Sequence, residues 1–299
     1  MADVIVIGAG INGLVAANYL AKAGRKIVVL ERRAVAGGQA VSEPFGDAAV
    51  DSLHAGGRLR PDIISDLGLT VPTTVGEPLV SVMPDGRQLR LSGVADDADA
   101  LATIRDFSKR DAERWPQFVA FMHEAAGFLD TAYRTPMPRL PHVSLSEGLP
   151  LAKLALNLRR LGPKDMFRVI RALPMSALEL TEEWFESDAV RAAVGAVAIH
   201  GLTLGPMSAG TGYTLMHNWL NRGGPGHARC EGGIGRIADT LIAALKARGG
   251  EVRTAADVKS IVIDDQRASG VRLSGGEELQ AATVISAADP RHTLLDLVG

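Results

Sequence analysis

Three glycines and one carboxylate carry the first chemistry that this sequence offers. Gly8, Gly10 and Gly13 stand in the run "VIVIGAGING" with the spacing G-x-G-x-x-G. In that spacing the first glycine makes a tight turn, the second lets backbone approach a pyrophosphate, and the third lets a helix pack closely on a strand. Ala9, Ile11 and Asn12, set between them, would bring their main-chain groups to the start of that helix, where unpaired N–H donors favour a phosphate. Glu31 follows near the distance at which a carboxylate accepts hydrogen bonds from a ribose diol, and its charge disfavours a 2′-phosphate. The pattern points to dinucleotide binding.

The next residues discriminate between dinucleotides. "ERRAVAGGQA" sets Arg32 and Arg33 beside the ribose carboxylate and adds Gly37, Gly38 and Gln39. NAD has no need of a second glycine turn, whereas FAD would be approached by backbone from its other side, with an arginine supplying charge-assisted hydrogen bonds. Standing alone, the same residues would read as a surface turn with solvated arginines.

No Ser-His-Asp order, metal-ligand spacing or carboxylate pair stands out among the seven histidines and scattered acids. His54, His200 and His217 are the candidates to approach a flavin, and for each a structural role is the favoured reading. Cys230 reads as a small buried thiol rather than a flavin attachment point. No catalytic residue and no metal ligand is assigned, because flavin itself accepts a hydride while the protein supplies position and excludes water.

These residues need a frame. Val4–Ile7 is a continuous β-branched run, expected of a parallel strand covered on both faces. A helix over Leu14–Ala23 and a strand over Lys26–Leu30 should follow. Pro84-Asp85-Gly86 marks a hairpin that opens a second domain, in which 96–133 and 149–202 read as helices. Gly232-Gly233-Ile234-Gly235 starts a helix whose amides could face flavin or substrate, followed by a strand over 251–254. Three short strands over 258–264, 268–274 and 277–282 should form a meander before a separate parallel strand over Thr283–Ser286. The expected fold is α/β: a Rossmann-like nucleotide-binding domain made of residues 1–75 and 230–299, with parallel sheet and β-meander, interrupted by a largely helical substrate domain over 76–229.

Composition narrows the partners. Lys and Arg number 32 against 34 Asp and Glu, a net charge of −2 that gives no reason to propose nucleic acid. A single cysteine excludes an internal disulfide and a Cys-x-x-Cys redox pair. With no basic leader before Val4, and with the longest apolar region, 189–207, broken by Arg191, His200 and Gly205-Pro206, a cytoplasmic protein is expected. Within 151–173, Lys153, Arg160, Lys164, Arg168 and Arg171 would share one helical face if Gly162-Pro163 is only a kink. Such a face could touch an anionic bilayer, although a solvated face of a packed helix is the favoured reading.

The opening segment, with "DSLHAGGRLRPDIISDLGL", "GTGYTLMHNWL", "EGGIGRIADTLIAALKARGGEVRT" and "VISAADPRHTLLDLVG", resembles the phytoene dehydrogenase-like flavoproteins within the wider group that includes amine oxidases. The likeness is collinear over essentially the whole chain and is greatest to the branch of pyridine nucleotide-disulfide oxidoreductase domain-containing proteins. It implies FAD as cofactor and hydride transfer from a lipophilic substrate such as an isoprenoid. It also implies main-chain contact of Val258 with adenine and a place for Ala287 beside the nucleotide. Related flavoproteins continue beyond the point that matches Gly299, with a glycine-rich segment that holds the flavin end. A homo-oligomer or a partner chain is therefore expected to cover that side. Two other readings stay open: a non-catalytic part of such a flavoprotein, and an NAD-dependent dehydrogenase.

Overall fold

The structure, a computed structural model, describes residues 2–51, 58–138 and 144–299. Along the chain run β1 (Ala2–Ile7), α1 (Ile11–Lys22), β2 (Ile27–Leu30), β3 (Ser42–Phe45), β4 (Ala48–Asp51), α2 (Pro61–Leu67), β5 (Thr73–Thr74), β6 (Leu79–Val82) and β7 (Gln88–Leu91). Then come α3 (Ala98–Arg105), α4 (Lys109–Arg134), α5 (Leu145–Arg160), α6 (Gly162–Ala172), α7 (Ala177–Trp184), α8 (Asp188–Ile199) and α9 (Thr211–Arg222). The chain closes with β8 (Arg229–Cys230), α10 (Gly235–Ala247), β9 (Glu251–Arg253), β10 (Val258–Asp264), β11 (Arg267–Leu273), β12 (Glu278–Ser286) and a wide helical stretch, His292–Val298. They divide into two compact units, Met1–Thr73 with Arg229–Gly299, and Thr74–Ala228.

The discontinuous unit is built on a six-stranded sheet in the order β10-β11-β12-β1-β2-β9. β1 lies between β12 and β2 and is parallel to both, with Val4 opposite Thr283 and Ile27, and Ile7 opposite Ser286 and Leu30. Its unbroken apolar run is explained by the two cores it feeds. Val4 and Val6 pack toward Leu14 and Ala17 of α1 and Leu241 and Leu245 of α10, while Ile5 and Ile7 join Leu30, Val271, Leu273 and Leu297 on the opposite face. Asn18, fully buried, fastens the two helices together: its Nδ2 donates to the carbonyls of Leu14 and Leu241, and its Oδ1 accepts from Arg248.

The meander differs from expectation in one respect. Instead of ending at 282 before a new strand, β12 runs unbroken through Ser286. Its first residues pair antiparallel with β11, and Ala281–Ser286 pair parallel with β1. No glycine or proline between Glu278 and Ser286 interrupts the extended backbone, so one strand joins the meander to the parallel sheet. Asp265 and Gln266, both at positive φ, make the β10–β11 turn.

Among its described residues the other unit is helical apart from the β6–β7 hairpin and the Thr74 end of β5. Its core is aromatic: Trp115 and Phe118 of α4 meet Phe185 and Trp219, with the Phe118 and Phe185 rings edge to face at 4.9 Å. The helix expected over 96–133 is two helices, because Ser108 leaves the α-conformation and accepts a hydrogen bond from Asp111 N–H to start α4. Gly162, at φ +83°, separates α5 from α6, so 151–173 is two helices and not the one kinked helix on which a shared basic face depended. Among the described residues no helix is long and apolar enough to cross a membrane.

Candidate nucleotide site

The glycine turn sits where β1 ends. Gly8, at φ +94°, donates its N–H to Leu30 O and brings the chain over the carboxyl end of β2, the end at which parallel sheets bind ligands. Gly10 caps α1 with no side-chain hydrogen bond, and no acidic residue occupies the first turn. The N–H groups of Ile11, Asn12 and Gly13 thus have no intrahelical acceptor and no competing carboxylate.

Close backbone packing explains the glycines individually. A Cβ on Gly13 would lie 2.1 Å from Gly8 O and 3.1 Å from Ala287 Cβ. Gly37, at φ +128°, donates to Ala9 O, and a Cβ on Gly38 would lie 2.9 Å from Gly10 Cα. The second glycine turn therefore packs directly on the first.

Glu31 is buried, 7% exposed, and its two oxygens accept from Ala9 N–H and Arg33 N–H, each at 2.9 Å. A carboxylate can accept about four hydrogen bonds, so capacity for two hydroxyls is left. Arg33 in turn donates to Gly38 O at 2.9 Å and pairs loosely with Glu43 at 3.5 Å. Arg33 thus joins the Glu31 carboxylate, through its backbone N–H, to the second glycine turn, through its guanidinium.

These groups surround an open cavity of about 510 Å³. Of the residues singled out by sequence, Gly8, Gly10, Glu31, Arg32, Arg33, Gly38, Gln39, Val258 and Ala287 line it. Ala9, Gly13 and Gly37 stand behind the wall as packing and hydrogen-bonding positions. Ala256, Asp257, Ala288, Asp289 and His292 also line it, and sequence reasoning missed Asp257, Asp289 and His292. A signal for two of these was present: "TAADV" after β9 and "SAADP" after β12 place Ala-Ala-Asp twice at the carboxyl ends of parallel strands.

The profile of the flavin containing amine oxidoreductases matches residues 11–295. The chain belongs to that family. It is 32% identical to pyridine nucleotide-disulfide oxidoreductase domain-containing protein 2 of Rattus norvegicus over 99% of this chain and 54% of the relative. Phytoene desaturase (neurosporene-forming) of Rhodobacter capsulatus is 29% identical over 98% of this chain and 53% of its own length. The chain thus spans about half the length of these curated relatives. Among solved structures, an oxidoreductase from Methanosarcina mazei superposes with a TM-score of 0.61 at 19% identity, over 98% of this chain and 60% of the other, a likeness of fold.

FAD is the cofactor of the flavin amine oxidoreductases. The cradle suits its nucleotide half: side chains are missing where the two glycine turns meet, helix donors are open, and a buried carboxylate retains acceptor capacity. The glycine-rich start of α10 is occupied differently from expectation. Ile234 N–H donates to Asp51 Oδ1 at 3.0 Å and Gly235 N–H to Ser42 Oγ at 3.1 Å, so the protein's own side chains take these two amides.

The other candidates fall as follows. His54 lies outside the described residues. His200 and His217 belong to the helical unit. His217 Nδ1 meets Tyr133 OH at 2.8 Å, its Nε2 meets Asn221 Nδ2 at 2.9 Å, and burial followed by the Arg222 charge holds its pKa below the usual value. Cys230 is buried, and that burial, reinforced by Asp51, pushes its thiol up and away from the thiolate. Within the helical unit a second cavity, about 460 Å³, is lined by the apolar Leu178, Ala192, Gly195, Ala196, Ile199 and Pro206 together with Thr181, Glu182, Asp188 and Arg191.

Proposed function

We propose that this chain forms the nucleotide-binding and helical portions of an FAD-dependent oxidoreductase that takes hydride from a lipophilic, unsaturated substrate of isoprenoid type. The observation that carries the reading is the packing of one glycine turn on another beside a buried, half-committed Glu31. In this reading the amides of Ile11, Asn12 and Gly13 hold the pyrophosphate, Glu31 holds the ribose hydroxyls, and Arg33 fixes the second turn through Gly38 O. Val258 and Ala287 form the wall on which adenosine lies. Bound FAD supplies the hydride acceptor.

The lipophilic substrate is supported by the phytoene desaturase relative and by the apolar part of the 460 Å³ cavity wall, along which an isoprenoid chain could lie with Thr181, Glu182, Asp188 and Arg191 at its polar side. Ile199, Leu178 and Pro206 would contribute contact area rather than chemistry.

The test has two stages. Purified chain incubated with FAD and freed of excess should keep stoichiometric flavin, with its absorption bands in the visible. Anaerobic addition of carotenoid precursors and shorter isoprenoids should then bleach those bands. A colourless protein that cannot be reconstituted would end the FAD reading for this chain. Bound flavin that no lipophilic compound reduces, while an amine does, would end the substrate proposal alone.

A further inference from the structure

The basic residues Arg168 and Arg171 are not absorbed by the flavin reading, and the structure places them in a specific setting. Both come from α6 to a cavity of about 180 Å³ in the helical unit, where Arg114 of α4 joins them. Gln117 adds a neutral amide, Trp184 and Phe121 add aromatic surface, and Glu183 is the only carboxylate among the lining residues. Three guanidinium groups thus meet one carboxylate in the described lining, while Asp165, Glu179 and Glu186 face Arg168, Arg171 and Arg114 from outside it.

None of these cations is fully committed. Arg168 is held by Asp165 at 3.2 Å and lies with its guanidinium carbon 5.5 Å from the Trp184 ring centroid. Arg171 pairs with Glu183, but both side chains are substantially exposed, 51% and 40%, and an exposed pair of this kind is readily exchanged for a better partner. Arg114 donates one nitrogen to the carbonyls of Glu183 and Trp184, both at 3.3 Å, which covers the electronegative end of α7 and leaves its other donors available. Planar forks from two helices converging on a small cavity match the oxygens of a phosphate group.

We propose that this cavity binds a phosphate group, carried either by a soluble phosphorylated molecule or by an anionic lipid headgroup. The site is independent of the flavin cradle, and its failure would leave the oxidoreductase reading untouched. Trp184 gives a local reporter, since the other two tryptophans, Trp115 and Trp219, are almost wholly buried.

The full chain would be titrated with inorganic phosphate against chloride at constant ionic strength, with Trp184→Phe identifying the responding fluorophore. A saturable, phosphate-specific change is expected, weakened by about tenfold or more in Arg168→Gln and in Arg114→Gln. Gln117→Glu should weaken it similarly, because the added carboxylate competes with phosphate for the same guanidinium groups without removing any of them. Vesicles of phosphatidylcholine with and without phosphatidic acid then distinguish the sources. Binding to phosphatidic acid that Gln117→Glu abolishes assigns a lipid headgroup, and phosphate binding without vesicle binding assigns a soluble ligand. A response to phosphate no different from that to chloride, or one that Gln117→Glu leaves unchanged, overturns the proposal.

Discussion

The two units put their chemistry in different parts of the polypeptide. In the nucleotide unit the site is written in backbone: Gly13, Gly37 and Gly38 matter for the side chains they lack, Gly8 for its positive φ, and Glu31 is held by main-chain N–H groups. In the helical unit both cavities are made by side chains that reach across from separate helices, over a core of interlocked aromatic rings. A backbone site of this kind tolerates no added atom at Gly13, Gly37 or Gly38, whereas a side-chain cavity tolerates exchange at its wall and depends on the core beneath it. The two should therefore fail in different ways.

Trp115 gives the largest test of that contrast. It is fully buried, donates to Ser92 O at 3.2 Å, and packs on Phe118, Phe185 and Trp219. Trp115→Ala should cost the helical unit about 3–5 kcal/mol of stability, seen as an early thermal transition, while FAD still binds. Joint loss of flavin and fold would show that the two units unfold as one. Gly13→Ala should do the reverse. With its new Cβ 2.1 Å from Gly8 O, α1 must shift from β1 at a cost of about 3 kcal/mol, and flavin retention, measured by gel filtration, should disappear before the far-ultraviolet helical signal does.

Glu31→Gln is gentler. The amide keeps an acceptor for one of the two backbone N–H groups but places an NH₂ opposite the other, and it removes the charge offered to a ribose diol. FAD affinity should fall by about 1.5–3 kcal/mol, or roughly tenfold to a hundredfold, with little change in the unfolding temperature. Equal affinities by fluorescence titration would remove Glu31 from the site. A larger effect on stability than on affinity would make it a structural group.

The same division accounts for what could be read from the sequence. Gly8 to Gly38 lie close together in the chain, and Gly8, Gly13, Gly37 and Gly38 answer local backbone or steric demands, so the first half of the cradle was legible from spacing. Asp257, Asp289 and His292 come to the cavity only because β12 and β9 flank β1 and β2 in the sheet, an arrangement set by long-range pairing. The condition for a shared basic face over 151–173 is not met for a local reason: Gly162 adopts a left-handed conformation and separates two helices. Only the folded chain shows Arg168 and Arg171 sharing a cavity with Arg114, because α4 and α6 are far apart in sequence.

Acidity provides the smallest and most selective probe. His217 and His227 both have pKa values lowered chiefly by burial and next by the charge of Arg222, with Glu77 opposing the shift at His227. Their folded forms therefore favour the neutral ring, against an unfolded value of about 6.5. That contribution to stability is fully present above about pH 6.5 and is lost as pH falls through the lower folded values, since the unfolded chain then binds the extra protons. Between pH 7 and pH 5 the melting temperature of the helical unit should fall, and His217→Gln should flatten the slope. The window lies above the range in which the depressed carboxylates Glu179 and Glu186 of this unit titrate, so the histidines alone should set it. An unchanged slope in His217→Gln would place the acid sensitivity elsewhere and separate burial of the ring from any role in stability.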